Sequence, residues 1–210
     1  MVQTDYIMRI IEQFAAFLWA IVFNKKAQNY DIALEKINEA YNELLHLDGN
    51  LVKNSEVNEI IQNNTFRNIL DKDNIEIIAN LLYEEADIVE QINGKNDSSN
   101  DCYEKSVILF CKLFEKDNIK KYSEKIDGIL MKLEKYGMTD NINQIVYKYY
   151  EINGLYGKAE DALYKLLEND YPDIKTEVKL FYNRLLEKND IELEKGNLPR
   201  NEIMEELNKL

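Results

Sequence analysis

The sequence contains few of the residues that interrupt helices. Only 7 of its 210 residues are glycine and 2 are proline, whereas leucine, isoleucine, glutamate, lysine and alanine recur at helical spacing. A fold with many tight turns needs more glycine and proline than this. We therefore predict an all-α protein of about nine or ten helices, forming a single helical domain over residues 1–210.

The residues and motifs that build many catalytic sites are also scarce. His46 is the only histidine, which excludes histidine-pair metal sites and paired Glu-x-x-His clusters. Neither GxGxxG nor GxxxxGK[ST] occurs, so the usual signatures of nucleotide-dependent catalysis are missing. We expect no enzymatic activity, no cofactor and no metal ion.

Cysteines and long apolar runs are limited as well. Cys102 and Cys111 are the only two cysteines, and their spacing puts them on opposite faces of one predicted helix, so they cannot bridge each other. This usage fits a reducing compartment. The most apolar run, residues 14–23 (FAAFLWAIVF), is too short to span a bilayer and lacks the features of a secretory signal. We predict a cytoplasmic protein.

Basic residues are fewer than acidic residues along the chain. The sequence has 39 acidic and 26 basic residues, which gives a formal net charge of -13 at pH 7. Such a field repels phosphate backbones and anionic bilayers. We therefore expect neither nucleic acid nor a membrane as a partner.

Among the nine or ten predicted helices are three hairpin-like pairs and a short tail helix. The clearest pair has its turn at Asn153 and Gly154. Residues 95–100 (KNDSSN) predict an enlarged turn in the preceding pair, with Asp101 capping the next helix. The hairpin-like pairs lie near residues 5–47, 74–116 and 140–169, and the C-terminal tail helix at residues 199–210.

Two resemblances follow from these patterns. The hairpin around Gly154, with an aromatic residue after the turn and small residues at the helix contact, resembles a tetratricopeptide repeat. The turns near Asn29, Gly94 and Gly154 are unequally spaced, which predicts an irregular array. The stretch DYIMRIIEQ, residues 5–13, resembles the opening of an uncharacterised bacterial domain-of-unknown-function family with tetratricopeptide-like helical hairpins. This resemblance implies a helical fold and no particular activity.

The first helix, from about Asp5 to Lys26, has apolar residues on two opposite sides. One stripe includes Ile10, Phe14 and Ile21, and the other includes Trp19 and Phe23. A helix that is apolar on both sides is typical of one sandwiched between neighbours. We therefore expect Trp19 to be buried in helix packing.

The tetratricopeptide resemblance also implies a binding groove, because the first helix of each repeat lines the concave surface. Matching by turn position identifies six candidate partner-binding residues in the first two hairpins: Leu18, Val22, Lys25, Leu81, Ile88 and Ile92. An apolar groove of helical length is normally covered by protein. We predict a non-catalytic protein-interaction module that buries an amphipathic partner helix, or a second subunit in a homodimer. The protein's own tail helix is a further candidate for covering the groove.

A different class of function stays open on the acidic, tyrosine-rich helical surface. Glu84, Glu85, Tyr83 and Tyr150 could serve a small-molecule or metal-binding sensor or an enzyme. Carboxylates are suitable ligands for hard cations and suitable acid–base groups. The surrounding cluster has no ligand loop, however, so a solvated helix face is the preferred interpretation.

Overall fold

Helices account for nearly all of the regular structure. The protein is represented by a computed structural model that describes residues 2–117 and 120–209, with side chains at residues 8–116 and 121–209. The described elements are α1 (Val2–Lys26), α2 (Tyr30–Leu45), α3 (Gly49–Asn54), α4 (Val57–Asn63), β1 (Thr65–Phe66), β2 (Ile69–Leu70), α5 (Lys72–Asn93), α6 (Asp97–Asp117), α7 (Lys120–Leu133), α8 (Asp140–Ile152), α9 (Tyr156–Glu168), α10 (Ile174–Leu186), α11 (Asp190–Lys195) and α12 (Arg200–Lys209). The all-α prediction is confirmed.

Two short helices raise the number above the nine or ten predicted. The Asp48 carboxylate accepts a hydrogen bond from the Asn50 backbone N–H at the start of α3. The Asn189 side chain does the same for the Glu192 N–H at the start of α11. These helices have six residues each, too few for an apolar period to predict them, and local caps define where they begin.

The contacts within the chain group into two compact units, Met1–Tyr136 and Gly137–Leu210. The single domain over residues 1–210 stays a prediction.

Helix α5 lies at the centre of the first unit. It packs against α6, α2 and α1, and α6 in turn packs against α7. Half of its residues are buried, including the polar Asn80 and Glu84. The Ser106 hydroxyl of α6 donates a hydrogen bond of 2.7 Å to the Ala79 carbonyl of α5. A helix buried on several sides is apolar around much of its circumference, as the sequence of α5 is.

Helices α1 and α2 form a hairpin with arms of unequal length. The turn between them is short, with Gln28 in a left-handed conformation at φ 59°, so α2 runs back along α1. At 1.5 Å per residue, the 25 residues of α1 span about 37 Å and the 16 residues of α2 about 24 Å. The first part of α1 therefore extends beyond the end of α2.

A small β-hairpin lies between α4 and α5. Phe66 pairs with Ile69 in antiparallel register. The two residues between them, Arg67 and Asn68, have φ angles of 49° and 64°, as a two-residue hairpin turn with positive φ at both positions requires. The turn lacks the Asn-Gly or Asp-Gly pair that signals such a hairpin in a sequence.

In the second unit, α8 and α9 pack as a hairpin, α10 packs against α9 and α12, and α11 packs against α12. Gly154 forms the turn at φ 70°. The Gly157 backbone N–H donates a hydrogen bond of 2.9 Å to the Gly196 carbonyl. A Cβ atom on Gly196 would lie 2.2 Å from Cδ2 of Tyr156, so only glycine fits where the α11–α12 connection crosses this hairpin. The tetratricopeptide-like character of the array stays a prediction.

Candidate functional site

One side of α1 presents an unusual amount of apolar surface to solvent. We call it the outer face of α1, defined by Met8, Ile11, Ala15, Trp19 and Phe23, which lie within about 120° of the helix circumference at 100° per residue. Met8 is 56%, Ile11 54%, Trp19 69% and Phe23 55% exposed. Isolated exposed apolar residues are ordinary on protein surfaces, but a stripe of this length along one helix is typical of a binding surface.

The opposite side of the same helix is buried in the first unit. Ile21 is fully buried, and Ile10 and Phe14 are partly covered. In the described part of the chain, α1 packs against α2 and α5 on this one side. The prediction that α1 is sandwiched, with Trp19 buried, is therefore wrong, because these neighbours cover one apolar stripe and leave the other in water.

Two aromatic side chains stack on the outer face. The rings of Trp19 and Phe23 stack with centroids 5.2 Å apart and an interplanar angle of 13°. Residues four apart lie on the same helix face, so the pair forms a continuous flat surface across one turn. Rigid aromatic surface loses little conformational entropy on binding, which is why Trp dominates many protein interfaces.

A cleft continues this apolar surface beside the first half of α1. It has a volume of about 530 Å³ and lies between α1, the end of α2 and the start of α5. Ile10, Phe14, Leu44 and Ile77 contribute its apolar lining, and Ile11 belongs both to the cleft and to the outer face. The rest of the lining is mostly polar and includes Asp71, Glu76 and Lys121, so the cleft adjoins the outer face only at Ile11.

The groove predicted from the tetratricopeptide resemblance does not exist at its central positions. Leu81 and Ile88 are 0% exposed, because α5 packs against α6, α2 and α1 and its apolar positions form the core. Ile92, near the end of α5, is 46% exposed. Leu18 and Val22 are half-buried at one edge of α1. Of the six predicted residues, only the two on α1 adjoin the outer face as apolar side chains.

Lys25, the sixth predicted residue, is held in an ion pair. Its Nζ lies 2.5 Å from Oε2 of Glu84 and 2.8 Å from Oδ2 of Asp87. Burial alone would lower the pKa of Lys25, but hydrogen bonds to Asp87 and Glu84 outweigh it and raise this pKa. The charge of Lys25 therefore joins α1 to α5 within the first unit.

The acidic cluster on α5 is not the solvated face that the sequence predicts. Glu84 and Glu85 are buried, and Glu85 accepts a hydrogen bond of 2.7 Å from Lys53. Lys132 of α7 donates to Asp87 and to Glu90 at 2.8 Å and 2.9 Å. Lysines from other helices therefore form ion pairs with the carboxylates of the cluster.

The arrangement leaves little support for a metal site at these carboxylates. Across the described residues, no group of three or more His, Cys, Asp or Glu side chains is placed to hold a metal ion. Tyr83 belongs to the first unit together with Glu84, whereas Tyr150 belongs to the second. The only two cysteines, Cys102 and Cys111, are free and buried, and burial raises the pKa of Cys102 to about 12.

A second, smaller apolar surface lies on the β-hairpin. Phe66 and Ile69 are each 73% exposed, and the Arg67 guanidinium lies 5.1 Å from the centre of the Phe66 ring. This contact covers part of the ring with a charged group. The hairpin therefore offers less continuous apolar surface than the outer face of α1.

Comparison with known families places the whole sequence in one of them. The model of a family of unknown function, DUF6483, matches residues 1–210. The chain belongs to the DUF6483 family. The expectation that the chain belongs to a family of unknown function is confirmed. No curated protein and no solved structure matches the sequence significantly.

For this DUF6483 member, sequence reasoning missed the outer face of α1 although it recognised the pattern that forms it. Trp19 and Phe23 belong to the second stripe of a two-sided apolar helix. The signal was therefore present, but a stripe shows only that a surface is apolar and not what covers it. None of the helices in the described ranges, α1 included, has the combination of length and apolar character needed to cross a bilayer.

Proposed function

We propose that the protein is a non-catalytic interaction module that binds another polypeptide through the outer face of α1. The supporting observation is the row of four large apolar side chains, Met8, Ile11, Trp19 and Phe23, each more than half exposed on one helix. Exposed surface of this kind is typically covered by protein. A net charge of -13 favours a protein partner over nucleic acid or an anionic membrane.

The spacing on the outer face fits recognition of a helix. Met8, Ile11, Ala15 and Trp19 follow one another at intervals of three or four residues. This is the spacing at which one helix presents anchors to another. A partner that supplies an apolar helix face, whether from a different protein or from a second copy, would cover the Trp19–Phe23 stack and exclude water from it.

The proposal can be tested by site-specific photo-crosslinking in cells that produce the protein. A benzophenone amino acid replaces Trp19 in one variant and Met131 in a second. Met131 is a matched control, because it is 68% exposed and apolar but belongs to α7 and not to the outer face of α1. Irradiation at position 19 should join the chain to a polypeptide that gives a discrete band, whereas position 131 should give none.

Crosslinking that is equal at both positions, or absent at position 19, contradicts the proposal. A Phe23→Glu change in the position-19 variant should remove the discrete band, because a carboxylate would be buried without a partner. The fold should be unaffected, since Phe23 is 55% exposed. A band that persists despite Phe23→Glu would show that the polypeptide does not bind through this face.

A further inference from the structure

We infer that the outer face of α1 binds the same face of a second copy, with the two helices antiparallel about a twofold axis at Trp19. The inference rests on the proposed function and identifies its partner. The Trp19–Phe23 stack supplies the apolar centre. A twofold interface uses one self-complementary surface on both chains, and the sequence of α1 around Trp19 is self-complementary in both charge and size.

The charges on the outer face are arranged symmetrically. Glu12 lies seven positions before Trp19 and Lys26 seven positions after it, and both are exposed. Seven residues are about two helical turns, so both charged residues lie on the same side of α1 as Trp19. In an antiparallel pair centred at position 19, Glu12 lies opposite Lys26 of the partner subunit. The two opposite-charge pairs then flank the aromatic centre on both sides.

The sizes of the apolar side chains follow the same symmetry. Phe23 lies four positions after Trp19 and Ala15 four positions before it. Phe23 of one chain therefore faces Ala15 of the partner subunit. Large side chains placed against small ones allow two helices to pack at the usual separation of about 8–10 Å.

A parallel pair would lose this complementarity. Each residue would then face its own copy, so Glu12 would oppose Glu12 of the partner subunit and Lys26 would oppose Lys26 of the partner subunit. Like charges placed opposite each other across an interface are unfavourable. The charge order along α1 therefore selects the antiparallel arrangement.

The charge pairing is tested by exchanging the two charges and measuring the dissociation constant of the dimer by sedimentation equilibrium. Glu12→Lys and Lys26→Glu should each raise the dissociation constant about tenfold or more, because each brings like charges together. The double variant Glu12→Lys/Lys26→Glu restores opposite charges and should return it to within about threefold of the wild-type value.

The direction of the Glu12→Lys effect separates specific pairing from general repulsion. The change makes the net charge of -13 less negative, so reduced repulsion alone would strengthen self-association. The proposed pairing predicts the opposite. Glu35→Lys on the exposed side of α2 is the matched control, because it makes the same charge change away from the outer face and should not weaken the dimer.

Disulfide crosslinking tests the position of the twofold axis. A Trp19→Cys substitution brings two thiols together at the axis, and a mild thiol oxidant should convert the protein to a covalent dimer. The native Cys102 and Cys111 are buried in the chain and should not compete. Met131→Cys, at a position of similar exposure, should form no covalent dimer under the same conditions.

The possible failures separate the two proposals. A dimer that Trp19→Glu abolishes but Glu12→Lys leaves unchanged overturns the antiparallel pairing and retains the outer face as an interface. A monomeric wild type that photo-crosslinks to a different polypeptide at position 19 overturns self-association alone. A monomer that gives no crosslink at this position overturns both.

Discussion

Lys25 lies between two carboxylates, Glu84 and Asp87, that belong to the central helix of the first unit. Its side chain is only 12% exposed. Such a charge is stabilised by its partners, and removing it would leave two acidic groups in a region of low solvation. Lys25, which the sequence pattern predicts in a binding groove, therefore contributes to the stability of the fold.

Replacing Lys25 should destabilise the protein. We expect Lys25→Ala to lower the free energy of unfolding by about 3 kcal/mol, the usual cost of breaking a buried ion pair from one side. Urea denaturation measures this change. Lys36→Ala is the control, because Lys36 forms a comparable ion pair with Glu39 on the exposed surface of α2, where such pairs contribute little. Equal effects of the two substitutions would contradict the structural role of Lys25.

The acidic residues of the same network predict how stability depends on pH. Burial alone would raise the pKa of Asp87, but hydrogen bonds from Lys132 and Lys25 lower it. The pKa of Glu90 is likewise lowered, despite partial burial, by hydrogen bonds from Lys132 and Tyr103. Because their folded-state pKa values lie below the unfolded ones, these carboxylates add stability above about pH 5. That stability is lost as the pH falls towards the folded-state values.

We expect the urea midpoint of the wild type to decrease from pH 6 to pH 3 for this reason. Asp87→Asn should lower the midpoint at pH 6 and make its pH dependence shallower, since one of the responsible groups no longer titrates. If the urea midpoint of Asp87→Asn kept the full wild-type pH dependence, the ion-pair network would not be the source of that dependence.

For the helices, the sequence predicts where the chain turns better than it predicts what covers each apolar stripe. The turns at Gln28, Gly94 and Gly154 lie where the pattern predicts them, because each interrupts an apolar period of 3.6 residues. What covers each stripe could not be predicted. Trp19 on α1 and Leu81 on α5 occupy similar apolar patterns, yet one is exposed and the other is fully buried, because that difference depends on contacts distant in sequence.

Local capping explains a smaller difference at the start of α6. The polar stretch 95–100 predicts a loop with Asp101 as the cap, but α6 begins at Asp97. The Asn96 side chain accepts a hydrogen bond of 3.0 Å from the Ser99 N–H, which satisfies a free N–H of the first turn. Asn, Asp and Ser favour loops and helix caps alike, so composition alone could not distinguish the two.

The connection between α11 and α12 gives a prediction at the same scale. We expect Gly196→Ala to lower the free energy of unfolding by about 2 kcal/mol or more, because its Cβ would lie 2.7 Å from the Gly154 carbonyl oxygen and closer still to the Tyr156 ring. Thermal unfolding followed by circular dichroism measures the loss.

Gly128 supplies the matched control for this substitution. It lies within α7, and a Cβ atom there would meet nothing within 4 Å. Gly128→Ala should therefore stabilise the protein by about 0.5–1 kcal/mol, since alanine favours the helical conformation more than glycine does. A Gly196→Ala protein as stable as the wild type would contradict the close crossing at Gly196.

The whole molecule combines a strongly acidic chain with the apolar outer face of α1. A net charge of -13 opposes self-association over long distances, but at physiological ionic strength this repulsion is screened beyond about 8 Å. Apolar contact at the outer face of α1 is short-ranged and is weakened little by salt. The dimer should accordingly be stronger at physiological salt than at low salt, which is opposite to the behaviour of an interface held mainly by ion pairs.

The fluorescence of Trp19 tests the central claim most directly, because Trp19 is the only tryptophan and lies at the proposed interface. As the concentration of purified protein rises from nanomolar to tens of micromolar, its emission should move to shorter wavelength and its quenching by acrylamide should decrease. In Phe23→Glu both should stay those of an exposed indole throughout. A wild-type Trp19 that is equally exposed at every concentration would contradict burial of the outer face of α1 against a second copy.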